Sequence, residues 1–458
     1  MSFLFATALL VAAGLAVLRS LRLETRGAVA DAGLAWLVGS GTFAAVAPVL
    51  RFALGVPLSR LTALVVVLAP VAVWGALRLR RGPAEAGGPS APSGGERARW
   101  IPQPLWAFLP IAGYVVLVAA AVLLHGANTP THTDDGVRVR AFAPALAFLD
   151  GWAPDARAIF VAAGPLPTFV PALGGILGGT LDPFHPNYAV LADLVAILLL
   201  TVGLGASRGS PERGWASAFA LLSIPLFVYH CTSTYSDAVL GIRVGAGVLF
   251  AVEYARTREH RDAARALLLL GIAALVKREG ELVAAAPAAI LVAQLAVERA
   301  RGRAFPWLAL AGLGAVVALD VAGKVAAVGV ADAFPMVRFI AQQSGVAAAA
   351  PAPTQPGSSA AAAALFFDQA LFRSGNAGMI YWILPAAIAV RARALVRTRL
   401  LWPLAGVAAL LAEVAVTSIL VVPQFTLDQS TVHRALLVAT VPAALWLAAV
   451  LADAVGEP

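Results

Sequence analysis

The feature that most constrains this chain is a succession of long apolar runs separated by short arginine clusters. A membrane helix needs about 20 mostly apolar residues. Candidate spans lie near 3–19, 29–50, 61–77, 104–124, 187–206, 214–229, 237–255, 263–276, 281–297, 305–329, 376–390, 400–421 and 435–453. Soluble cores stop growing near about 250–300 residues. A chain of 458 residues, 60% hydrophobic and only 13% charged, carries more apolar surface than one such core absorbs. The expected fold class is an all-α polytopic membrane protein with about thirteen transmembrane helices, amphipathic helices on the outer face and no large soluble domain. The lone Cys231 excludes a disulfide scaffold.

The net charge of +8 reads as membrane topology, and no nucleic-acid partner is expected. Arginines 19, 22 and 26, then 78, 80, 81, 97 and 99, then 208 and 213 fall in one set of loops. That set continues with 256, 258, 261 and 265, with 299, 301 and 303, and with 391, 393, 397 and 399. The positive-inside rule makes this side cytoplasmic, with the N-terminus outside and the C-terminus inside. Residues 159–181 are apolar enough to span, but their three prolines and five glycines and the arginine count argue for a broken, re-entrant or surface-lying segment. Residues 137–152 before it read as an amphipathic interfacial helix. The scarcity of lysine (Lys277 and Lys324) beside abundant Ala, Arg, Gly and Val fits a GC-rich bacterial genome, hence a bacterial inner membrane.

The organisation expected is a three-span N-terminal block (1–81), a cytoplasmic Pro/Gly/Ser-rich linker (82–103) and a main membrane region (104–458). The outer loops of that region are 125–186, 230–237, 277–281, 330–375 and 422–434. In the long loop, 347–360 reads as disordered and 361–373 as a surface helix; the stretch as a lid is the alternative. No internal repeat is evident, which weighs against an inverted-repeat transporter.

Sidedness sorts the polar residues. The outer loops hold His125, His132, Asp134 and Asp135; Asp182, His185 and Tyr188; Tyr229, His230, Tyr235 and Asp237; Lys277, Arg278, Glu279 and Glu281; and Asp428, His433 and Arg434. Wet loops are polar anyway, and a single acidic pair is most often a solvated turn. Repetition is what that explanation leaves over: acidic residues stand at the membrane boundary of several separate loops, and ionisable groups at membrane depth default to function. Carboxylates, histidines and cations facing one cavity suit transfer from a phosphate-linked substrate. A carboxylate serves as general base, carboxylates or a carboxylate and a histidine hold a divalent metal such as Mg or Mn, and Lys or Arg stabilises the leaving phosphate. Arg243, Lys324, Asp193, Asp320 and Glu413 sit inside or near spans instead; Asp320 and Lys324, four apart, can pair on one helical face.

The order of these pieces resembles the GT-C superfamily of lipid-carrier-dependent glycosyltransferases, in particular the protein mannosyltransferase and aminoarabinose transferase-like branch. The resemblance runs over roughly residues 104–455. It rests on the acidic pair Asp134-Asp135 after a span with an amphipathic helix behind it, on Tyr-Ser-Asp (235–237) opening a later span, on the helix–corner–helix LVKREGELVAAAP (275–287), and on the arginine of STVHRALLVATVPAAL (430–445). It differs in having three further spans before the one that leads into the acidic loop. The resemblance implies a GT-C-like bundle and an inverting transfer of sugar from a polyprenyl-phosphate donor to a glycan, lipid or protein acceptor at the outer face. It implies Asp134 as catalytic base, with Asp135 the close alternative, and Asp237 positioning metal or acceptor. Lys277 and Arg434 are implied at the donor phosphate, with Arg278, Glu279 and Tyr235 beside them. Asp135, Asp237, His230 and His433 are the metal candidates. A transporter or flippase for a lipid-linked or small anionic substrate, and a non-catalytic envelope subunit, are the rival readings.

Overall fold

In the computed structural model the described residues are all but Met1, 86–99, 103–104, 130–141, 153, 234, 278, 304, 334–357, 422, 428–431 and 457–458. Apart from turns and connections they are helical, with no strand among them. A helix is the form in which an apolar run satisfies its own backbone without water. In chain order the helices are α1 (Ser2–Leu21), α2 (Ala28–Pro48, continued by a π turn to Ala53), α3 (Arg60–Glu85), α4 (Leu105–Asn128), α5 (Phe142–Leu149), α6 (Pro154–Ala163) and α7 (Pro165–Gly178). Then come α8 (His185–Ser207), α9 (Pro211–Leu222), α10 (Pro225–Cys231), α11 (Ser236–Thr257), α12 (His260–Ala273), α13 (Gly280–Ala300), α14 (Trp307–Val328) and α15 (Val330–Ala333). The rest are α16 (Ser358–Ala364, continued by a π segment to Arg373), α17 (Ile380–Thr398), α18 (Leu401–Val416), α19 (Pro423–Leu427) and α20 (Val432–Gly456).

Ten of these helices are long and apolar enough to cross a bilayer, or eleven if the pair α9–α10, bent by 80°, forms one span. Not all of the thirteen candidate spans read from the sequence correspond to such a helix. The run 263–276 forms α12, which has only 14 residues, about 21 Å at 1.5 Å per residue. The run 376–390 forms α17, whose last eight residues hold Arg391, Arg393 and Arg397.

Residues 159–181 do not span. The chain breaks at Gly164, with φ of +83°, and the 14-residue α7 is too short to cross. The Leu166 N–H donates to the Leu275 carbonyl at 2.9 Å, and Arg60 at the start of α3 donates to the Ile176 carbonyl at 3.2 Å. Both ends of α7 thus lie toward the same end of the bundle. Of the interfacial helix expected over 137–152, residues 142–152 are described and α5 covers 142–149; of the stretch expected to be disordered, 347–357 lies outside the described residues, and 358–360 instead open a helix. The surface-helix expectation for 361–373 falls on α16 and its π continuation.

The arginine-rich loops gather at one end. Arg26 and Arg208 both reach Glu259, at 2.7 and 3.1 Å, and Arg208 also pairs with Asp262 at 2.8 Å. Burial works against the charge of Glu259, yet Arg208, Arg26 and Arg265 hold its carboxyl below the usual range. Glu298 near the end of α13 takes Arg258 at 2.8 Å, Arg399 at 2.9 Å and Arg303 at 3.4 Å, and Tyr254 donates to it at 2.6 Å. Arg258 and Arg399 end α11 and α17 with φ near +60°, a left-handed cap that non-glycine residues adopt at a cost of about 1–2 kcal/mol. The shared pairing on Glu298 offsets that cost. These ion pairs tie the ends of α8, α11, α13 and α17 to the starts of α2, α12 and α18.

Helices of the 1–81 block pack into the same core as the rest. Trp36, Leu37, Phe43 and Ala44 of α2 are buried among residues of α8, α11 and α12. Small residues allow this proximity. A Cβ built on Gly39 would collide with the Leu10 carbonyl of α1, and one on Gly14 with the Ala35 carbonyl of α2. On the other side of α2, Gly203 lies where a Cβ would come within 2.5 Å of the Ala30 nitrogen. Because the clashing atoms are backbone, Gly39→Leu is expected to force α1 away from α2 and to destabilise the protein by at least about 1–3 kcal/mol. The check is the thermal midpoint in detergent; an unchanged midpoint would mean that α1 does not pack against α2 as described.

Candidate functional site

Opposite the arginine-rich end, α11 and α20 begin side by side. They run parallel through a glycine seam in which Gly241 faces Val441 and the Leu437 carbonyl, and Gly245 faces Val441 and Leu445. This is a small-xxx-small spacing, which lets two membrane helices approach closely. One turn above the seam, register places Asp237 of α11 opposite Arg434 of α20. Arg434 Nε donates to Asp237 Oδ2 at 3.1 Å. From the corner between α12 and α13, Lys277 Nζ donates to Asp237 Oδ1 at 2.6 Å. Three segments remote in sequence thus meet on one carboxylate.

The corner that presents Lys277 is held from below. The Leu275 carbonyl accepts the α7 bond already described, and a Cβ on Gly164 would meet the Val276 carbonyl at 2.5 Å, so the chain passes the corner where only glycine fits. Glu279 stands on the far side of Lys277, at 3.9 Å. Asp237 is favourably placed in the first turn of α11, where the helix dipole attracts an anion. Arg434 occupies the first turn of α20, where the same dipole opposes a cation. Its position breaks the local rule and is stabilised by Asp237.

Aromatic groups close the cluster. The Arg434 guanidinium lies 4.4 Å from the centre of the Tyr235 ring, a cation–π contact worth about 0.5–2 kcal/mol. His230 at the end of α10 stacks on the same tyrosine at 4.8 Å, and its Nδ1 is 4.0 Å from Asp237 Oδ2. The Asp237 side chain is 1% exposed, whereas Lys277 and Arg434 are 17% and 24% exposed. The carboxylate is sealed and the two cations reach toward the surface.

Of the residues singled out in the sequence, Tyr235, Asp237, Lys277, Glu279, Arg434 and His230 come together here. Asp134, Asp135 and Arg278 lie outside the described residues. His433 precedes Arg434, so it is turned about 100° from it around α20; its Nδ1 is buried without a hydrogen-bond partner. Of the metal candidates, Asp135 lies outside the described residues. Among the described residues no group of three His, Cys, Asp or Glu side chains could hold a metal ion, and both oxygens of Asp237 face cations.

Two buried charge clusters escaped the sequence reading as clusters, although their members were visible. Asp193 of α8 accepts from Arg243 of α11 at 2.8 Å and from Trp36 Nε1 at 2.7 Å; Arg243 also donates to Ser40 at 3.1 Å and to the Leu37 carbonyl at 3.2 Å. A cavity of about 20 Å³ lined by Asp193, Ser236 and residues of α7 separates this pair from the start of α11. The other cluster joins Lys324 and Asp320 of α14, at 2.8 Å, to Glu281 of α13. The spacing of 320 and 324 was legible, while Glu281 came from another helix. A larger apolar space of about 560 Å³ lies between α1, α2, α4 and α8, lined by Phe3, Val11, Trp36, Leu123, Tyr188 and Leu199 among others.

Comparison with family models, with curated proteins and with solved structures brings no match.

Proposed function

We propose that the protein is a membrane glycosyltransferase that takes a sugar from a polyprenyl-phosphate donor at the Asp237 end of the bundle. In this reading that end faces the periplasm or exterior of a bacterial inner membrane. The observation that supports it is the convergence of Lys277 and Arg434, from separate segments, on one sealed carboxylate beside the membrane boundary. Asp237 keeps the two cations preoriented. A donor phosphate competes with it for their exposed N–H groups and gains charge-assisted hydrogen bonds. The acceptor oxygen attacks the anomeric carbon from the face opposite the phosphate. The carbon–oxygen bond to the phosphate breaks, and the electron pair leaves on the phosphate, where Lys277 and Arg434 stabilise it. The acceptor proton passes to Asp134, or to Asp135, acting as general base. Tyr235 holds the Arg434 guanidinium in place, and Glu279 offers a carboxylate beside Lys277. The acceptor is a glycan, lipid or protein. A divalent cation remains part of this reading only through Asp134, Asp135 or their neighbours.

The test is sugar transfer from a radiolabelled polyprenyl-phosphate sugar pool by purified protein. Asp134→Asn or Asp135→Asn is expected to lower turnover about 10²–10⁴-fold, with donor binding retained. Donor binding without turnover, unaffected by either substitution, would replace this reading by transport. A transporter or flippase is the second reading, and the buried pairs Asp193–Arg243 and Lys324–Asp320–Glu281 favour it, because charges within spans mark substrate or ion pathways.

A further inference from the structure

The Lys324 cluster does not balance its charges. Lys324 Nζ is bonded to Asp320 Oδ2 at 2.8 Å and to Glu281 Oε1, so one ammonium faces two carboxylates. The side chains of Asp320 and Lys324 are 0% and 1% exposed, while Glu281 is 25% exposed. Asp320 Oδ1 is buried with no hydrogen-bond donor. An uncompensated carboxylate removed from water is costly, and in practice such a group neutralises.

Among the described residues the neighbouring elements supply no second cation. On the π turn of α2, Arg51 is engaged with Asp150. Arg157 of α6 donates at 3.4 Å to the Ala327 carbonyl, in the turn beyond Lys324. Asp332 of α15 is acidic and exposed. The charged and titratable residues of α12 and α2, His260, Arg261, Asp262, Arg265 and Asp31, sit at the arginine-rich end. Lys277 at the adjoining corner is held by Asp237 and Glu279. A metal ion is a poor candidate for the missing charge, since the lysine ammonium already occupies the point between the two carboxylates.

We propose that this cluster is a proton-binding site, in which Asp320 carries a proton while Lys324 and Glu281 stay charged. The site sits in α14 against the start of α13, four residues along from Lys277, and it stands apart from the transferase reading. Its ligand is the proton itself. Asp320 releases it only when Lys324 and Glu281 move apart or water reaches Oδ1.

Dicyclohexylcarbodiimide is the probe, because it reacts with protonated carboxyl groups in apolar surroundings. The acid proton moves to a carbodiimide nitrogen as the carboxyl oxygen bonds the central carbon. The O-acylisourea then rearranges to a stable N-acylurea, and nothing leaves. With the full-length protein in detergent near neutral pH, peptide mass spectrometry is expected to find the adduct on Asp320. It should fall at alkaline pH, be unchanged by sodium or magnesium, and vanish in Asp320→Asn, which keeps an oxygen for Lys324. Infrared spectroscopy gives a readout that needs no reagent access: the carbonyl band of a neutral carboxylic acid should be present in the wild type and weakened in Asp320→Asn. Absence of the Asp320 band overturns the proposal, as does labelling confined to Glu413. Protection by sodium also overturns it, in favour of a cation site.

Discussion

Arg243→Met is expected to be among the most destabilising single substitutions in the protein, by about 3–5 kcal/mol, the usual cost of stranding one partner of a buried ion pair. Arg243 and Asp193 are both sealed, so the carboxylate left behind is buried without the cation that balances it. Trp36 would remain its hydrogen-bond donor, and a neutral indole cannot balance the charge. Asp193→Asn in the Arg243→Met background is expected to recover much of the loss, since an amide keeps the Trp36 bond and carries no charge. Thermal unfolding of the four proteins in detergent gives the cycle. If Arg243→Met melts with the wild type, the pair is not a structural link between α8 and α11.

Around Asp237 the expected pattern is one of redundancy. Lys277→Met or Arg434→Met alone leaves the carboxylate one cation, and each is expected to cost little in stability. The double substitution strands Asp237, so its cost should exceed the sum of the singles by about 1–3 kcal/mol, a coupling typical of residues in one charge network. Asp237→Asn should be milder than the double, because Lys277 and Arg434 are partly exposed and regain solvent. Turnover separates differently under the transferase reading. Each single loss of a cation is expected to slow sugar transfer about 10²–10³-fold, the scale for one donor at a developing anion. Additive stabilities would show that the two cations do not share Asp237. Unimpaired transfer in both single variants would remove them from the donor site.

Much of the architecture was legible in the runs themselves. Crossing a bilayer is a local requirement on length and apolarity, so α1, α2, α3, α4, α8, α11, α13, α14, α18 and α20 follow from counting. The runs that do not form a span-length apolar helix lie where that rule is marginal. The run forming α12 is apolar but short, and it exists because α11 and α14 bury it. The run forming α17 looked apolar until its helix continued through three arginines. Gly164 and the prolines after it correctly signalled that 159–181 could not be one straight helix.

The site divides the same way. Asp237, Lys277 and Arg434 stood out in the sequence because ionisable residues at the ends of apolar runs are costly without a partner. Their mutual pairing was not legible there, since Lys277 lies 40 residues from Asp237 and Arg434 lies 197. Membrane periodicity says which residues share a depth and not which helices are neighbours.

The sequence by itself determined that this is a helical chain suited to a membrane, with its arginines gathered at one end and a set of carboxylates, histidines and cations at the other. Both follow from solvent preference, which each segment expresses alone. Only the tertiary structure decided the partners: Arg434 and Lys277 for Asp237, Arg243 for Asp193, Glu281 for Lys324. Those choices depend on which glycines let two helices approach, at Gly241 and Gly245 between α11 and α20 and at Gly14 and Gly39 between α1 and α2. Once the backbones are that close, a buried charge has few places left to find its opposite.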